Sequence, residues 1–165
     1  MEESLKTSLF RLKCRCTTMY GVGRRQFKFL WVMKHESIVV VYDSCQAIAE
    51  EIADKLGAEA VSVQSMNNRQ IKNSQSFILA VEFQSAGQLT PHWLYAYLNF
   101  HAVSLKGKKI AVFVTLGNKH DDDHVAKEFC NKLKENGAHI VGELQYAGTP
   151  EWNLDNWVCA ISPNL

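Results

Sequence analysis

The stretch Ile38-Val39-Val40-Val41-Tyr42, followed by Asp43-Ser44-Cys45 and the segment QAIAEEIADKL at 46–56, decides the fold. The β-branched run predicts a buried strand, and apolar residues at 48, 49, 52, 53 and 56 predict a helix with one apolar face. A strand that turns directly into a helix is the opening unit of an open α/β sheet. Such turns bind phosphates, because helix N-termini present unpaired N–H groups. This turn contains no glycine.

Further strands are predicted downstream of the first helix. They lie at residues 60–63, 77–81, 110–115 and 138–144. The run 77–81 is nearly all apolar, as expected of a central strand that is covered by helices on both faces. With right-handed crossovers, five parallel strands and their helices form a three-layer α/β sandwich.

Helices are predicted between and after these strands. Thr90-Pro91 is predicted to cap one of them, because Thr is a good N-cap and Pro suits the first helical position. The acidic run at 121–123 begins the next helix, where the macrodipole favours anions. Thr149-Pro150 is predicted to cap the last helix, and residues 66–70 are predicted to form a polar loop. The predicted buried stripe of the helix after Pro91 is Leu94, Tyr95, Leu98 and Ala102.

The charge is distributed unevenly along the chain. Residues 1–35 contain eight Lys/Arg and two Glu, a net +6, whereas residues 36–165 contain ten Lys/Arg and fifteen Asp/Glu, a net −5. We therefore expect a domain at 36–165 after a basic leader at 1–35. Three interpretations of the leader stay open: a disordered basic arm for a partner or membrane surface, a targeting peptide, or a start assigned upstream of the natural one. We favour the last, since Met33 precedes a typical domain opening.

The five cysteines lack paired C-x-x-C spacing, which argues against a disulfide framework and against a structural zinc site. A reducing, cytoplasmic location is therefore expected. The apolar stretch at 29–33 is too short to span a bilayer. The acidic domain offers no large basic face for nucleic acid. We expect neither a membrane nor a nucleic-acid partner, and the oligomeric state stays open.

Several segments resemble those of a known family. IAEEIA at 48–53 is similar to its first helix, and LKGKKIAVF at 105–113 resembles the segment that leads through its fourth strand. NGAHIVG at 136–142 resembles its fifth strand, and DNW at 155–157 resembles the end of its C-terminal helix. On these motifs, residues 37–163 resemble the flavodoxin-like family. The resemblance implies the strand order 2-1-3-4-5, with FMN at the carboxyl edge of the sheet and electron transfer to a redox partner protein.

The resemblance also implies where the flavin would lie. The FMN phosphate would lie on Ser44, Cys45, Gln46 and Ala47, although the family's longer Thr/Ser-x-Thr-Gly-x-Thr loop is absent there. The isoalloxazine ring would lie between loops 82–88 and 116–120. The implied ring-binding residues are Phe83, Gln84, Ser85, Gly87, Leu116, Gly117 and Asn118. All three loops depart from the family pattern, and Asp43 beside the first would repel a dianionic phosphate.

Other residues carry weaker signals. Cys45 lies at the predicted N-terminus of the first helix, where unpaired amides stabilise a thiolate, so it is either a reactive thiol or an inert turn residue. His120 and His124 are four residues apart and are either metal ligands with a nearby Asp or, as we favour, surface histidines. The lysines within 106–109 are expected to be solvated.

Three functions are compatible with these patterns. The first is an FMN-binding electron carrier with atypical loops. The second, nearly as well supported, is a degenerate module that has lost flavin and acts as a protein-binding or regulatory domain. The third is an enzyme that uses the Cys45 thiol, which rests on one residue, because a fold alone confers no chemistry. We therefore expect an electron carrier or binding module rather than a catalyst, and we predict no catalytic or metal-binding residue.

Overall fold

A mostly parallel sheet forms the centre of the fold. The structure, a computed structural model, describes residues 37–84, 87–116 and 119–165. Its strands are β1 (Ile38–Tyr42), β2 (Glu59–Ser62), β3 (Ser76–Gln84), β4 (Gln88–Leu89), β5 (Lys109–Leu116), β6 (His139–Ile140) and β7 (Gln145–Tyr146). They run in the order β2-β1-β3-β5, and β6 and β7 both pair with the outer side of β5. Among these described strands only the short β4 is antiparallel, and it pairs with the end of β3.

Helices cover both faces of this sheet, as strands that are apolar on both sides require. The helices are α1 (Gln46–Leu56), α2 (Asn68–Asn73), α3 (Pro91–Ala102), α4 (Lys119–Glu135) and α5 (Leu154–Ile161). Phe77 and Leu79 of β3 pack in the core under α2, α3 and α4, whereas the alternating Ile78 and Ala80 pack in the core under α1 and α5. The architecture is therefore the predicted three-layer sandwich.

The predicted parallel order 2-1-3-4-5 is confirmed, with one change in its fifth member. The predicted strand 138–144 is instead two short strands, β6 and β7, which are separated by a bend. Gly142 lies in that bend with φ of 72°, and a Cβ there would come within 2.7 Å of Ile161 Cγ2. Only glycine fits both the backbone angle and the approach of α5, so the strand is interrupted there.

The predicted polar loop at 66–70 is wrong over residues 68–70, which begin the short helix α2, whereas residues 66 and 67 precede it. The Asn67 side chain accepts a hydrogen bond from the Gln70 N–H, and the Gln70 side chain accepts one from the Asn67 N–H, both at 3.0 Å. This reciprocal capping box satisfies two N–H groups that would otherwise lack partners.

The predicted buried face of α3 is also wrong. The side chains that α3 buries are those of Trp93, Ala96 and Phe100. The exposed fractions of Leu94, Tyr95 and Leu98 are 50%, 64% and 57%, and Ala102 is exposed as well. Since nearly every position of this helix is apolar or aromatic, periodicity could not select the buried face.

Lys108, predicted to be solvated, is only 6% exposed. Its Nζ donates hydrogen bonds to the main-chain carbonyls of Ser74 at 2.6 Å and Lys72 at 3.0 Å. Burial lowers the pKa of this ammonium group. These hydrogen bonds therefore link the end of α2 to the residue that precedes β5.

The cap of the last helix differs from the prediction. Thr149 donates its hydroxyl hydrogen to the Tyr146 carbonyl, 3.0 Å away, and does not cap α5. Asn153 is the N-cap instead, and its side-chain oxygen accepts a hydrogen bond from the Asn156 N–H at 2.9 Å. The helix therefore begins later than the Thr-Pro pair indicated.

Two sequence predictions concern membranes and the leader. Within residues 37–84, 87–116 and 119–165, no helix combines the length and apolar character needed to cross a membrane. The leader at 1–35 lies outside the described residues, so its three interpretations stay predictions.

Candidate functional site

The candidate site is the turn between β1 and α1, at the carboxyl edge of the sheet. β1 ends at Tyr42, Asp43 and Ser44 form a bend, and Cys45 is the N-cap of α1. The neighbouring central strand β3 runs parallel to β1 and extends beyond it. The end of β3 therefore reaches the turn, and it carries Glu82 there.

Glu82 accepts hydrogen bonds from Ser44, the first of the four residues predicted to hold a phosphate. Its Oε1 accepts a hydrogen bond from the Ser44 N–H at 2.7 Å and another from the Ser44 hydroxyl at 2.9 Å. Glu82 is only 2% exposed. A buried carboxylate needs such partners, because an unpaired charge is costly away from water. The Glu82 carboxylate thus lies against the turn and takes both donors of Ser44.

Asp43 joins the turn to the beginning of α3. One carboxylate oxygen accepts a hydrogen bond from the Thr90 hydroxyl at 3.3 Å, and both lie 3.1 Å from His92 Nδ1. The Thr90 side chain, which was expected to cap α3, makes this contact and no capping hydrogen bond. A second carboxylate is therefore fixed next to Ser44.

The surroundings of Cys45 disfavour its thiolate form. Burial raises the pKa of the Cys45 thiol, a hydrogen bond with Thr115 opposes that shift, and the nearby carboxylates of Glu82 and Asp43 raise the pKa further. A raised pKa disfavours the thiolate, which is the nucleophilic form. The structure therefore supports the interpretation of Cys45 as a turn residue and not the reactive-thiol hypothesis.

The first turn of α1 holds the other two residues implied for the phosphate. Gln46 and Ala47 are both exposed. Gln46 Nε2 donates a hydrogen bond to Glu50 Oε1 at 2.7 Å along the same helix. Its side chain is thus directed to a neighbour on α1, and Ala47 offers a ligand only its main chain.

The residues implied for the isoalloxazine ring are only partly described. Phe83 is 5% exposed and packs in the core under α3 and α4, so its ring is not available to stack on a flavin. Gln84 is exposed, and Gly87 adopts φ of 69°, where a Cβ would come within 2.9 Å of Val125 Cγ2. Ser85, Gly117 and Asn118 lie outside the described residues, and only the main chain of Leu116 is described, as the last residue of β5.

The turn does not fit the phosphate of FMN. Ser44, its one hydroxyl donor, is already paired with Glu82, and Asp43 adds a second carboxylate at the same turn. A phosphate at neutral pH carries between one and two negative charges, so both carboxylates would repel it.

Glu82 was predicted to begin the 82–88 loop beside the ring, but it belongs to β3, and its contact with Ser44 was not predicted although a signal was present. It follows the apolar run 77–81, where an isolated acidic residue at the end of a central strand must find hydrogen-bond donors. In an open α/β sheet the nearest donors are those of the adjacent strand–helix turn. That rule would have paired Glu82 with the turn after β1.

Comparison with known proteins shows the fold. No family model matches the sequence, and no curated protein matches it in sequence. Solved structures of flavodoxins do match. Flavodoxin 1 of Bacillus cereus matches with a TM-score of 0.63 at 21% identity, covering 78% of this chain and 99% of its own. The flavodoxin of Streptococcus pneumonia TIGR4 matches with a TM-score of 0.62 at 17% identity, covering 78% and 98%.

A third match is a flavin complex. The Fusobacterium nucleatum flavodoxin bound to flavin mononucleotide matches with a TM-score of 0.59 at 13% identity, covering 78% of this chain and 98% of its own. At such identities the likeness concerns the fold alone. The chain therefore has a flavodoxin-like fold.

Proposed function

We propose that this flavodoxin-like chain is a protein-binding or regulatory module whose first turn does not bind the FMN phosphate. The observation that carries the proposal is the pair of hydrogen bonds from Ser44 to Glu82. The proposal is supported by a sheet and helices that follow the flavodoxin-like arrangement, while a side chain of the protein itself takes both donors of Ser44 at the first turn.

The electrostatics of the turn support this proposal. Two unit charges at about 4 Å interact with roughly 4 kcal/mol at an effective dielectric constant of about 20. An FMN phosphate at the turn would meet both Glu82 and Asp43, and the amides of one short turn offer little to offset that repulsion. The net effect favours exclusion of the phosphate.

The second candidate is an FMN-binding electron carrier with a redox partner protein. Its support is the fold that this chain shares with the flavodoxin of Fusobacterium nucleatum, which is described as bound to flavin mononucleotide. In such a protein the redox chemistry would belong to the cofactor, and the chain would hold and orient it.

Titration of flavin into the full chain separates the two candidates. FMN and riboflavin are added in parallel, and flavin fluorescence and the visible spectrum are followed. Because the two ligands differ only in the phosphate, their affinity ratio isolates its contribution. We expect no saturable FMN binding in the micromolar range and no preference for FMN. Saturable micromolar binding with FMN preferred over riboflavin would refute the proposal and favour the second candidate.

A further inference from the structure

The exposed side of α3 carries a continuous apolar stripe. Leu94 and Leu98 are four residues apart, and Tyr95 and Leu98 are three apart, so these side chains are neighbours on the helix surface. Each is at least half exposed. The exposed Ala102, four residues beyond Leu98, extends the same line. We call Leu94, Tyr95, Leu98 and Ala102 the α3 stripe.

The helix that carries the stripe is firmly held from its other side. Trp93 and Phe100 are fully buried, and Phe77 of β3 packs edge-on against Phe100 with ring centroids 5.4 Å apart. At its N-terminus, His92 lies 3.1 Å from Asp43. The stripe is therefore presented on a fixed helix, so ordering it for binding costs little entropy.

The size of the stripe points to an interaction surface. Three large apolar side chains side by side approach the few hundred Å², roughly, at which an exposed patch commonly marks a binding site. They are the large hydrophobic residues that are exposed within the described part of the chain. Exposure of this kind costs free energy in water, which contact with another apolar surface would remove.

The charge of α3 indicates which partner fits. Residues 91–102 contain no Asp, Glu, Lys or Arg. A foreign partner would find no charge here to steer or select it. In a two-fold contact each residue near the axis faces its own copy, so any charge would meet a like charge. A face without formal charge avoids that repulsion and is complementary to itself.

We infer that the α3 stripe is the contact between two copies of this chain. The two α3 helices lie against each other across a two-fold axis near Leu94 and Leu98. At this central position the leucines of one copy pack against those of the other, with Tyr95 beside them. His92 and His101 lie toward the ends of the helix, away from the axis.

The length of α3 limits the area of this contact. Its 12 residues span about 18 Å. A helix pair of that length buries less than the roughly 800 Å² per partner of a standard stable interface. A contact of that size is typical of weak, reversible association.

Sedimentation velocity of the full chain tests the inference, at concentrations from about 5 µM to about 500 µM. We expect the sedimentation coefficient to rise with concentration from the monomer value toward the dimer value. Leu98→Glu places two like charges across the axis and should weaken association at least about tenfold. Leu98→Met keeps the volume and apolar character and should associate as the wild type does.

A matched control lies on the other side of the sheet. Ala160 is exposed on α5, so Ala160→Glu adds the same charge away from α3 and should leave association unchanged. Far-UV circular dichroism and the melting temperature confirm that each variant is folded. A wild type that stays monomeric at every concentration would overturn the inference, as would association that Leu98→Glu leaves intact or that Ala160→Glu weakens equally. Flavin titration depends on different side chains, so the two proposals fail independently.

Discussion

Neutralising Glu82 should give the first turn an affinity for phosphate. In Glu82→Gln the side-chain oxygen can still accept the hydrogen bond that the Ser44 N–H donates over 2.7 Å, so the turn keeps its geometry. The negative charge beside the turn is removed. The change therefore tests the charge of Glu82 separately from its packing.

The magnitude follows from Coulomb's law. A phosphate near Ser44 would lie about 4 Å from the Glu82 carboxylate, where two unit charges repel by roughly 4 kcal/mol at an effective dielectric constant of about 20. Ser44 is exposed, so screening by solvent reduces this to about 2–4 kcal/mol. Since about 1.4 kcal/mol corresponds to a factor of ten, the affinity for FMN relative to riboflavin should rise by roughly 30-fold to 1,000-fold.

The assay is fluorescence titration of FMN and riboflavin into the wild type and Glu82→Gln, with calorimetric titration of inorganic phosphate in parallel. Glu59→Gln is the control, because Glu59 is an exposed carboxylate on β2. A folded Glu82→Gln protein that gains no affinity for FMN or phosphate would refute the assignment of Glu82 as the internal anion. An equal gain in Glu59→Gln would show that net charge alone is responsible.

Three further predictions concern stability. Lys108→Met leaves two main-chain carbonyls without their charged donor, so it should lower the free energy of unfolding by about 2–3 kcal/mol in urea denaturation. Burial raises the pKa of the Cys130 thiol from 9.0 to about 11, so the folded state keeps a proton that the unfolded state loses. Stability should therefore fall as pH rises from about 9 toward 11, and less so in Cys130→Ala, as measured by melting temperature against pH. Gly142→Ala puts a Cβ 2.7 Å from Ile161 at a positive φ and should cost more than about 2 kcal/mol, whereas Gly57→Ala, with open space at a similar φ, should cost about 1 kcal/mol.

The sequence was sufficient for most of the architecture because the strand and helix signals are local. The β-branched run at 38–42 predicted a buried strand and the apolar run at 77–81 predicted a central strand, and both are present. The prediction of a buried helix face failed where the sequence pattern favoured no single side of the helix. In α3 almost every side chain is apolar, so only the packing of Trp93, Ala96 and Phe100 against the sheet selects the buried face.

The fifth strand and the buried lysine show a second kind of failure. Residues 138–144 have a strand pattern, but α5 packs so close to Gly142 that the strand is interrupted. Lys108 belongs to a charged run, and it is buried because two carbonyls from a distant helix end lie within reach of its ammonium group. Neither the packing of α5 against Gly142 nor the placement of the two carbonyls around Lys108 can be predicted from the few residues that flank each position.

The sequence by itself determined the class of fold, the position of the first turn and the absence of the family's phosphate loop from it. Each of these depends on residue types at fixed spacing along one segment. Only the tertiary structure decided what occupies the turn, because Ser44 and Glu82 are 38 residues apart and meet through the pairing of β1 with β3. The same holds for the exposed stripe of α3. The sequence of this helix favours no single buried face, so only its packing against the sheet decides which side chains are buried and which are exposed.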